Sequence, residues 1–427
     1  MSKSIVVDEV CRVEGHGGIT VTVQNGKLSK VHFDIFEGSR FFEPLLKGRP
    51  YDEVASLTSR ICAICSFGHT IASLQATEDA FGVTVTPQTT RLRDLMMQAE
   101  MIESHTLHLF CLALPDLLGY PSALHMAADH KEKVVMGLGL KKLGNTMREI
   151  LGGRAIHPCN AVVGGFGKLP TADELLSLRD PLQKAGADAR KTIDLLSALE
   201  LPNFPESPTV YAALDSAGGI YGYFGKEVLV STGDRLDIHE YRKLTNERTV
   251  SHSHAKHSLF SESPFMTGAL ARLILNEKKL RGQAQAAQQR LGLKLPSHNI
   301  FANNLAQAVE LVFSIERSLE IIEELVREGI QEESPPKVMP KAGMGVGAVE
   351  VPRGTLYHAY RYDDQGRIRE ADIITPTAQN LANVEKDFRA ALDRLPQEPK
   401  DSMAFKLEMV ARAYDPCISC SVHLIEI

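Results

Sequence analysis

No stretch of about 18 residues in this chain runs apolar without a charge, and the opening Met-Ser-Lys-Ser-Ile-Val-Val-Asp lacks the uninterrupted apolar segment of a signal peptide. A protein without a membrane span, located in the cytoplasm, is expected. A basic excess is missing too. With 47 Lys and Arg against 53 Asp and Glu, the formal net charge is −6, which offers no field for nucleic acid and no polybasic membrane patch. Cysteine is scarce at seven, and two tight pairs plus singles at Cys11, Cys111 and Cys159 do not have the spacing of a disulfide framework. Internal repeats, low-complexity tracts and linker-like composition shifts are also absent. The 427 residues, 44% of them hydrophobic, read as one globular domain spanning 1–427, whose ligands are small molecules and protein partners.

Periodicity places the elements. Residues 4–36 alternate apolar and polar in two runs joined across Asn25-Gly26, a pair suited to a type I′ turn, and predict a β-hairpin. Helical patterns follow at about 40–47, 50–57, 63–79, 91–114, 137–151, 171–198, 263–291, 302–328, 379–393 and 400–413. Strand-like runs at 227–231, 348–351 and 356–362 are short, and 332–347 reads as Pro/Gly-rich loop. The expected fold class is α+β, predominantly helical, with the long apolar helix 91–114 at the centre of the core and a small N-terminal β-hairpin region.

Four of the seven cysteines form two C-x-x-C pairs, Cys62/Cys65 in Arg60-Ile-Cys-Ala-Ile-Cys and Cys417/Cys420 in Asp415-Pro-Cys-Ile-Ser-Cys. Soft metals take thiolate sulfur, and two intervening residues let both sulfurs of a pair reach one ion. A zinc ribbon closes its second pair within roughly 12 to 20 residues, whereas these pairs lie near opposite ends of the chain. A site built in the core fits that separation better than a local zinc clip. Cys65 and His69 are four apart and share a helix face, where the imidazole can bond a ligating sulfur or its neighbour. Pro416 fixes the backbone entering the distal loop, and Asp415 can hold or orient a cation. Arg12-Val-Glu-Gly-His-Gly, Gly152-Gly-Arg-Ala-Ile-His-Pro and Glu350-Val-Pro-Arg-Gly-Thr-Leu-Tyr-His add unusual density of Gly, Arg, His and acid.

With these flanks, in this order, the chain resembles the large, catalytic subunit of nickel–iron hydrogenases, and among them the cytoplasmic bidirectional group linked to NAD(P). The resemblance implies the hydrogenase large-subunit fold and reversible cleavage of H2. It implies nickel held by Cys62, Cys65, Cys417 and Cys420, with Cys65 and Cys420 bridging to an iron that carries carbon monoxide and cyanide, a Ni-Fe(CO)(CN)2 centre. Glu14 corresponds to the carboxylate that relays protons beside terminal Cys417. Arg353, after Pro352, corresponds to the guanidinium over the open metal position, and Thr377 to a hydroxyl that donates to a cyanide. Glu43, His423 and the carbonyl near Ile373 correspond to ligands of a Mg2+ (or Fe2+) ion near the C-terminus. Where many relatives carry Asp before the histidine matching His105, this chain has Ser104, with Glu103 one step earlier.

Partners implied are a small subunit carrying iron–sulfur clusters, flavin- and NAD(P)-binding diaphorase subunits, and a maturation endopeptidase that removes 424–427. Isolated cysteines are too few for an iron–sulfur cluster in this chain. The alternatives are a quinone-reductase core subunit of the complex I type and a noncatalytic zinc-stabilised scaffold. His252, His254 and His257 have metal-like spacing, but Lys256 and flanking serines make them a solvated loop. Gly343-Met-Gly-Val-Gly347 lacks the Lys-Ser/Thr that a phosphate loop needs, so nucleotide binding is not expected.

Overall fold

The computed structural model describes residues 3–24, 27–393 and 399–422. The N-terminal strands β1 (Lys3–Val7), β2 (Gly17–Gln24) and β3 (Lys27–Ile35) form an antiparallel sheet in that order. Ile19 and Val21 of β2 and Val31, Phe33 and Ile35 of β3 are buried, the period-2 pattern that makes one face of a sheet apolar. The expected hairpin is present, with Gln24 opposite Lys27. Asn25 and Gly26 themselves fall outside the described residues, as do His423 and 424–427.

Helices dominate the rest: α1 (Phe42–Leu46), α2 (Tyr51–Thr58), α3 (Ser66–Phe81) and α4 (Pro87–Leu107) come first. The central helix begins four residues earlier than its apolar pattern implied. Thr86 accepts a hydrogen bond from the Thr89 N–H and Pro87 occupies the first turn, so the cap, not the hydrophobic period, sets the start. It runs on through a π-helical turn at His108–Ala113 into Leu114–Leu118, and most of its length is buried. The helix expected from 137 instead starts at Ala123, behind a Ser122 cap. The span 263–291 divides into the strand Phe265–Met266 and helices Ala269–Asn276 and Gly282–Arg290.

The largest departure from expectation is at 343–347, which is strand and not loop. Gly343–Val351 pairs with Gly354–Tyr362, which pairs with Ile368–Ile374, giving an antiparallel sheet on which α3 lies directly. A Cβ at Gly345 would stand 2.2 Å from the Ala76 carbonyl oxygen, and one at Gly347 2.1 Å from that of Ala72. These glycines let helix backbone approach strand backbone, and the helix they admit is the one that follows Cys65.

A fully buried polar cluster fixes the turn between the first two strands of that sheet. Arg272 donates from Nε and Nη2 to the two Glu310 carboxylate oxygens at 2.6 and 2.7 Å, and from Nη1 to Glu350 at 3.0 Å. The same guanidinium reaches the carbonyls of Val351 and Pro352, directly before Arg353. Burial alone would raise the Glu310 pKa, but Arg272 and then His105 hold it down to about 2 from an ordinary 4.5. Burial keeps His105 neutral, so its Nε2 donates to Glu310, while Nδ1 is buried without a hydrogen-bond partner among the described residues.

A carboxylate with a depressed pKa contributes stability above its unfolded value and loses it as pH falls. Stability from this cluster is therefore expected to be present above pH 4.5 and to fade toward pH 2. Arg272→Met, which strands Glu310 in the interior, is expected to lower unfolding free energy at neutral pH by about 3–5 kcal/mol. Denaturant titration of wild type and variant at pH 7 and pH 3 checks both expectations. An unchanged midpoint in the variant at pH 7 contradicts them.

Candidate metal centre

Head and tail of the chain meet. The sulfurs of Cys62 and Cys417 lie 3.6 Å apart and those of Cys65 and Cys420 3.9 Å apart; all four lie within 4.8 Å of one another and all four residues are buried. Cys62 leaves a short 3-10 turn, Ser59–Ile61, in extended conformation, and Cys65 sits at the N-terminus of α3. Its N–H donates to the Cys62 sulfur at 3.1 Å. Cys417 precedes the single turn Ile418–Ser421. The Cys417 and Cys420 sulfurs are in direct contact, and metal ligation takes all four cysteines as thiolates.

The N-terminal segment before β2 closes over this tail. Glu14 and Cys417 form a parallel bridge, with the Ile418 N–H donating to the Glu14 carbonyl at 2.9 Å. The Glu14 carboxylate accepts from the Ser419 N–H at 3.1 Å and from the Ser419 hydroxyl, and its Oε2 stands 3.2 Å from the Cys417 sulfur. Gly15 makes the approach possible: its φ is +84°, and a Cβ there would meet Ile418 Cβ and the Ser419 nitrogen, each at 2.8 Å.

Arg353 is buried, with Nε donating to the Asp415 carbonyl and Nη2 to its carboxylate at 3.0 Å. Gln307 donates to the other Asp415 oxygen at 3.1 Å. Burial would lower the arginine's pKa, but Asp415, then Cys62, Cys65 and Glu14, together raise it, so it stays charged beside the sulfurs. Its Nη1 is buried with no hydrogen-bond partner among the described residues. The Ser104 hydroxyl, where relatives were expected to carry an acid, is buried and likewise unpartnered, and Asp415 supplies the carboxylate that holds Arg353.

Thr377 opens the helix Pro376–Asp393, and its Oγ1 accepts from the Cys417 N–H at 2.9 Å, which leaves its own hydrogen to donate. Pro352 lies in the turn before Arg353, its carbonyl bonded to Arg272. His69 is buried in α3, with Nδ1 3.0 Å from His358 Nε2. His358 contacts the Tyr360 hydroxyl, which reaches Ser73 at 3.1 Å. Ile373 pairs with His358 across the sheet, and α1, carrying Glu43, packs against the strand that carries Ile373. The third residue expected there, His423, lies outside the described residues.

Several contributors carried no sequence signal. Arg40 donates from Nη1 to the Ile61 carbonyl at 2.7 Å and to the Ser419 carbonyl at 3.5 Å, so one guanidinium ties the proximal cysteine loop to the distal one. Arg148 bonds the Ala63 carbonyl and the Ser66 hydroxyl, and Glu100 accepts from the Phe67 and Gly68 N–H groups at the start of α3. The Gly152–Pro158 segment, by contrast, stood out in the sequence, and its His157 bonds Ser59 and Ser66, a bracing contact behind Cys62 and Cys65.

This donor set suits soft transition metals. Burial, then the neighbouring Cys62 sulfur, pushes the Cys65 thiol pKa well up. Cys65 is therefore a poor thiolate alone, and a coordinated metal deprotonates a ligating thiol outright.

The chain matches the family described as nickel-dependent hydrogenase over residues 40–138 and 222–423, and a family described as HoxL-like over residues 4–37. It is 40% identical over 424 residues to sulfhydrogenase 1 subunit alpha of Pyrococcus furiosus, covering 99% of this chain and 98% of that one. It is 28% identical over 472 residues to the NAD-reducing hydrogenase HoxS subunit beta of Cupriavidus necator, covering 99% and 95%. The crystal structure of an NAD+-reducing [NiFe]-hydrogenase in the H2-reduced state superposes with a TM-score of 0.88 at 26% identity, over 99% of both chains.

Proposed function

The chain belongs to the nickel-dependent hydrogenase family as a catalytic large subunit, an oxidoreductase acting on hydrogen, and from that premise we propose which of its residues hold the centre and where its electrons go. Cys62, Cys65, Cys417 and Cys420 are the residues that would hold a nickel–iron group carrying carbon monoxide and cyanide. The observation that carries this reading is the convergence of four buried sulfurs within 4.8 Å. Such a group, when bound, would supply heterolytic cleavage of H2, which yields a proton for the chain to carry away.

The chain's own groups handle that proton. Cys417 Sγ receives it, and Glu14 Oε2, 3.2 Å away, takes it onward; the Ser419 N–H and hydroxyl keep the carboxylate aimed at the sulfur. Arg353, fixed by Asp415, presents a charged donor toward the cysteines, and Thr377 orients Cys417 through its amide. Glu43 and the Ile373 carbonyl would supply oxygen donors, and His423 one nitrogen, to a Mg2+ or Fe2+ ion near the C-terminus; the two oxygens suit a hard cation.

Electrons leave through an iron–sulfur small subunit, because Cys11, Cys111 and Cys159 stand alone and are too few for a cluster. Diaphorase subunits binding flavin and NAD(P) complete the path, a reading supported by the NAD-reducing relative. A maturation endopeptidase removes 424–427, which intact mass of active protein tests. No single helix among the described residues is long and apolar enough to cross a membrane.

Infrared spectroscopy of the purified complex tests the metal assignment: carbonyl and cyanide stretches are expected, and their absence from active protein refutes it. Arg353→Lys keeps the charge and loses the planar fork. Turnover is expected to fall by about 10²- to 10³-fold with metal content intact, and wild-type turnover removes Arg353 from the mechanism.

A further inference from the structure

The histidine segment read from sequence as a solvated loop is not one. Arg248–Val250 and Ser253–His257 pair as a hairpin, leaving His254 exposed but turning His252 inward and burying His257. His252 Nε2 lies 2.6 Å from Glu385 Oε1 on the helix Pro376–Asp393, and the same oxygen accepts the Phe33 N–H at 2.9 Å. Both hydrogen bonds to that carboxylate fall on Oε1. The His32 ring of β3 stacks on His252 with centroids 3.9 Å apart. His257 Nε2 is buried with no hydrogen-bond partner among the described residues, although its residue is only 6% exposed.

We propose that His252, His257 and Glu385 form a second metal site, separate from the cysteines, for a borderline divalent ion of the zinc class. One ligand atom from each lies within 4.8 Å of the others. Two imidazoles and one carboxylate are a zinc-type donor set with a fourth position for water, and nitrogen donors select against magnesium and calcium. The orphaned His257 nitrogen is the feature hydrogen bonding leaves unexplained, and a cation gives it a partner. Burial holds the His257 pKa down to about 4, so at neutral pH it is the unprotonated imidazole that metals bind.

Lys256, adjacent in the strand and therefore on its other side, pairs with Glu247 and feels Glu43. An ion here joins β3, the hairpin and the helix Pro376–Asp393. Those elements carry on to Glu14 through β2 and to Thr377, so its role is to brace the cysteine pocket.

The test titrates Co2+ or Zn2+ into holoenzyme whose four cysteines already carry metal. One Co2+ per chain is expected, with ligand-field absorption and no thiolate charge-transfer band, together with a rise in Tm. Glu385→Gln and His257→Gln are each expected to weaken binding by at least about 100-fold, whereas His254→Gln, at the exposed neighbour, leaves it unchanged. Failure of wild type to take up the ion, a sulfur charge-transfer band, or equal affinity in Glu385→Gln overturns the proposal. The wild-type titration decides even where the His257 variant does not fold.

Discussion

Glu14→Gln is expected to lower H2 turnover by about 10²- to 10⁴-fold while the purified complex keeps its nickel and iron. The amide has the size of the carboxyl and still accepts from Ser419 through its oxygen, so the parallel bridge between residue 14 and Cys417 survives. What it lacks is a proton to exchange at 3.2 Å from the Cys417 sulfur. The diagnostic readout is H/D exchange, which reports proton passage independently of the electron acceptor. Loss of exchange with metals retained separates a relay from a structural brace, and undiminished exchange ends the relay assignment. Glu14→Asp, which shortens the reach but keeps the acid, is expected to recover part of the exchange.

The second large effect concerns the sulfurs. Cys65→Ser is expected to yield a folded chain with nickel and iron occupancy reduced by at least about 10- to 100-fold and no measurable hydrogen turnover. A hydroxyl is a hard, weakly acidic donor and a poor replacement for a thiolate toward soft metals. Cys65 sits at the start of α3, braced by the Glu100 contacts to Phe67 and Gly68. Near-wild-type circular dichroism is therefore expected beside the metal loss. A Cys65→Ser protein with full metal content contradicts the ligand set.

What the sequence disclosed and what it withheld divide along a physical line. The cysteine pairs were legible because metal chemistry constrains spacing within a pair, and the long central helix because its apolar pattern is strong. That head and tail converge was inferred from the mismatch between four soft ligands and any local zinc fold, and the inter-sulfur distances agree with it. Glu14, Arg353 and Thr377 came from resemblance, since no periodicity marks them.

Arg40 and Ser419 went unnoticed because each acts across the fold, on partners remote in the chain. The Arg272–Glu310–His105 cluster was hidden for the same reason. Gly343–Gly347 misled because glycine in sequence signals a turn, whereas here it marks a strand pressed against a helix. The histidine segment misled in the opposite sense: its local setting is polar, and the carboxylate that completes it, Glu385, lies in a distant helix.

Nickel K-edge X-ray absorption on the purified complex probes the shared pocket most directly. The expected spectrum has sulfur scatterers around nickel and an iron neighbour beyond them, with both signals lost in Cys65→Ser. Nickel surrounded by nitrogen and oxygen, or zinc alone in a protein that remains active, would contradict it.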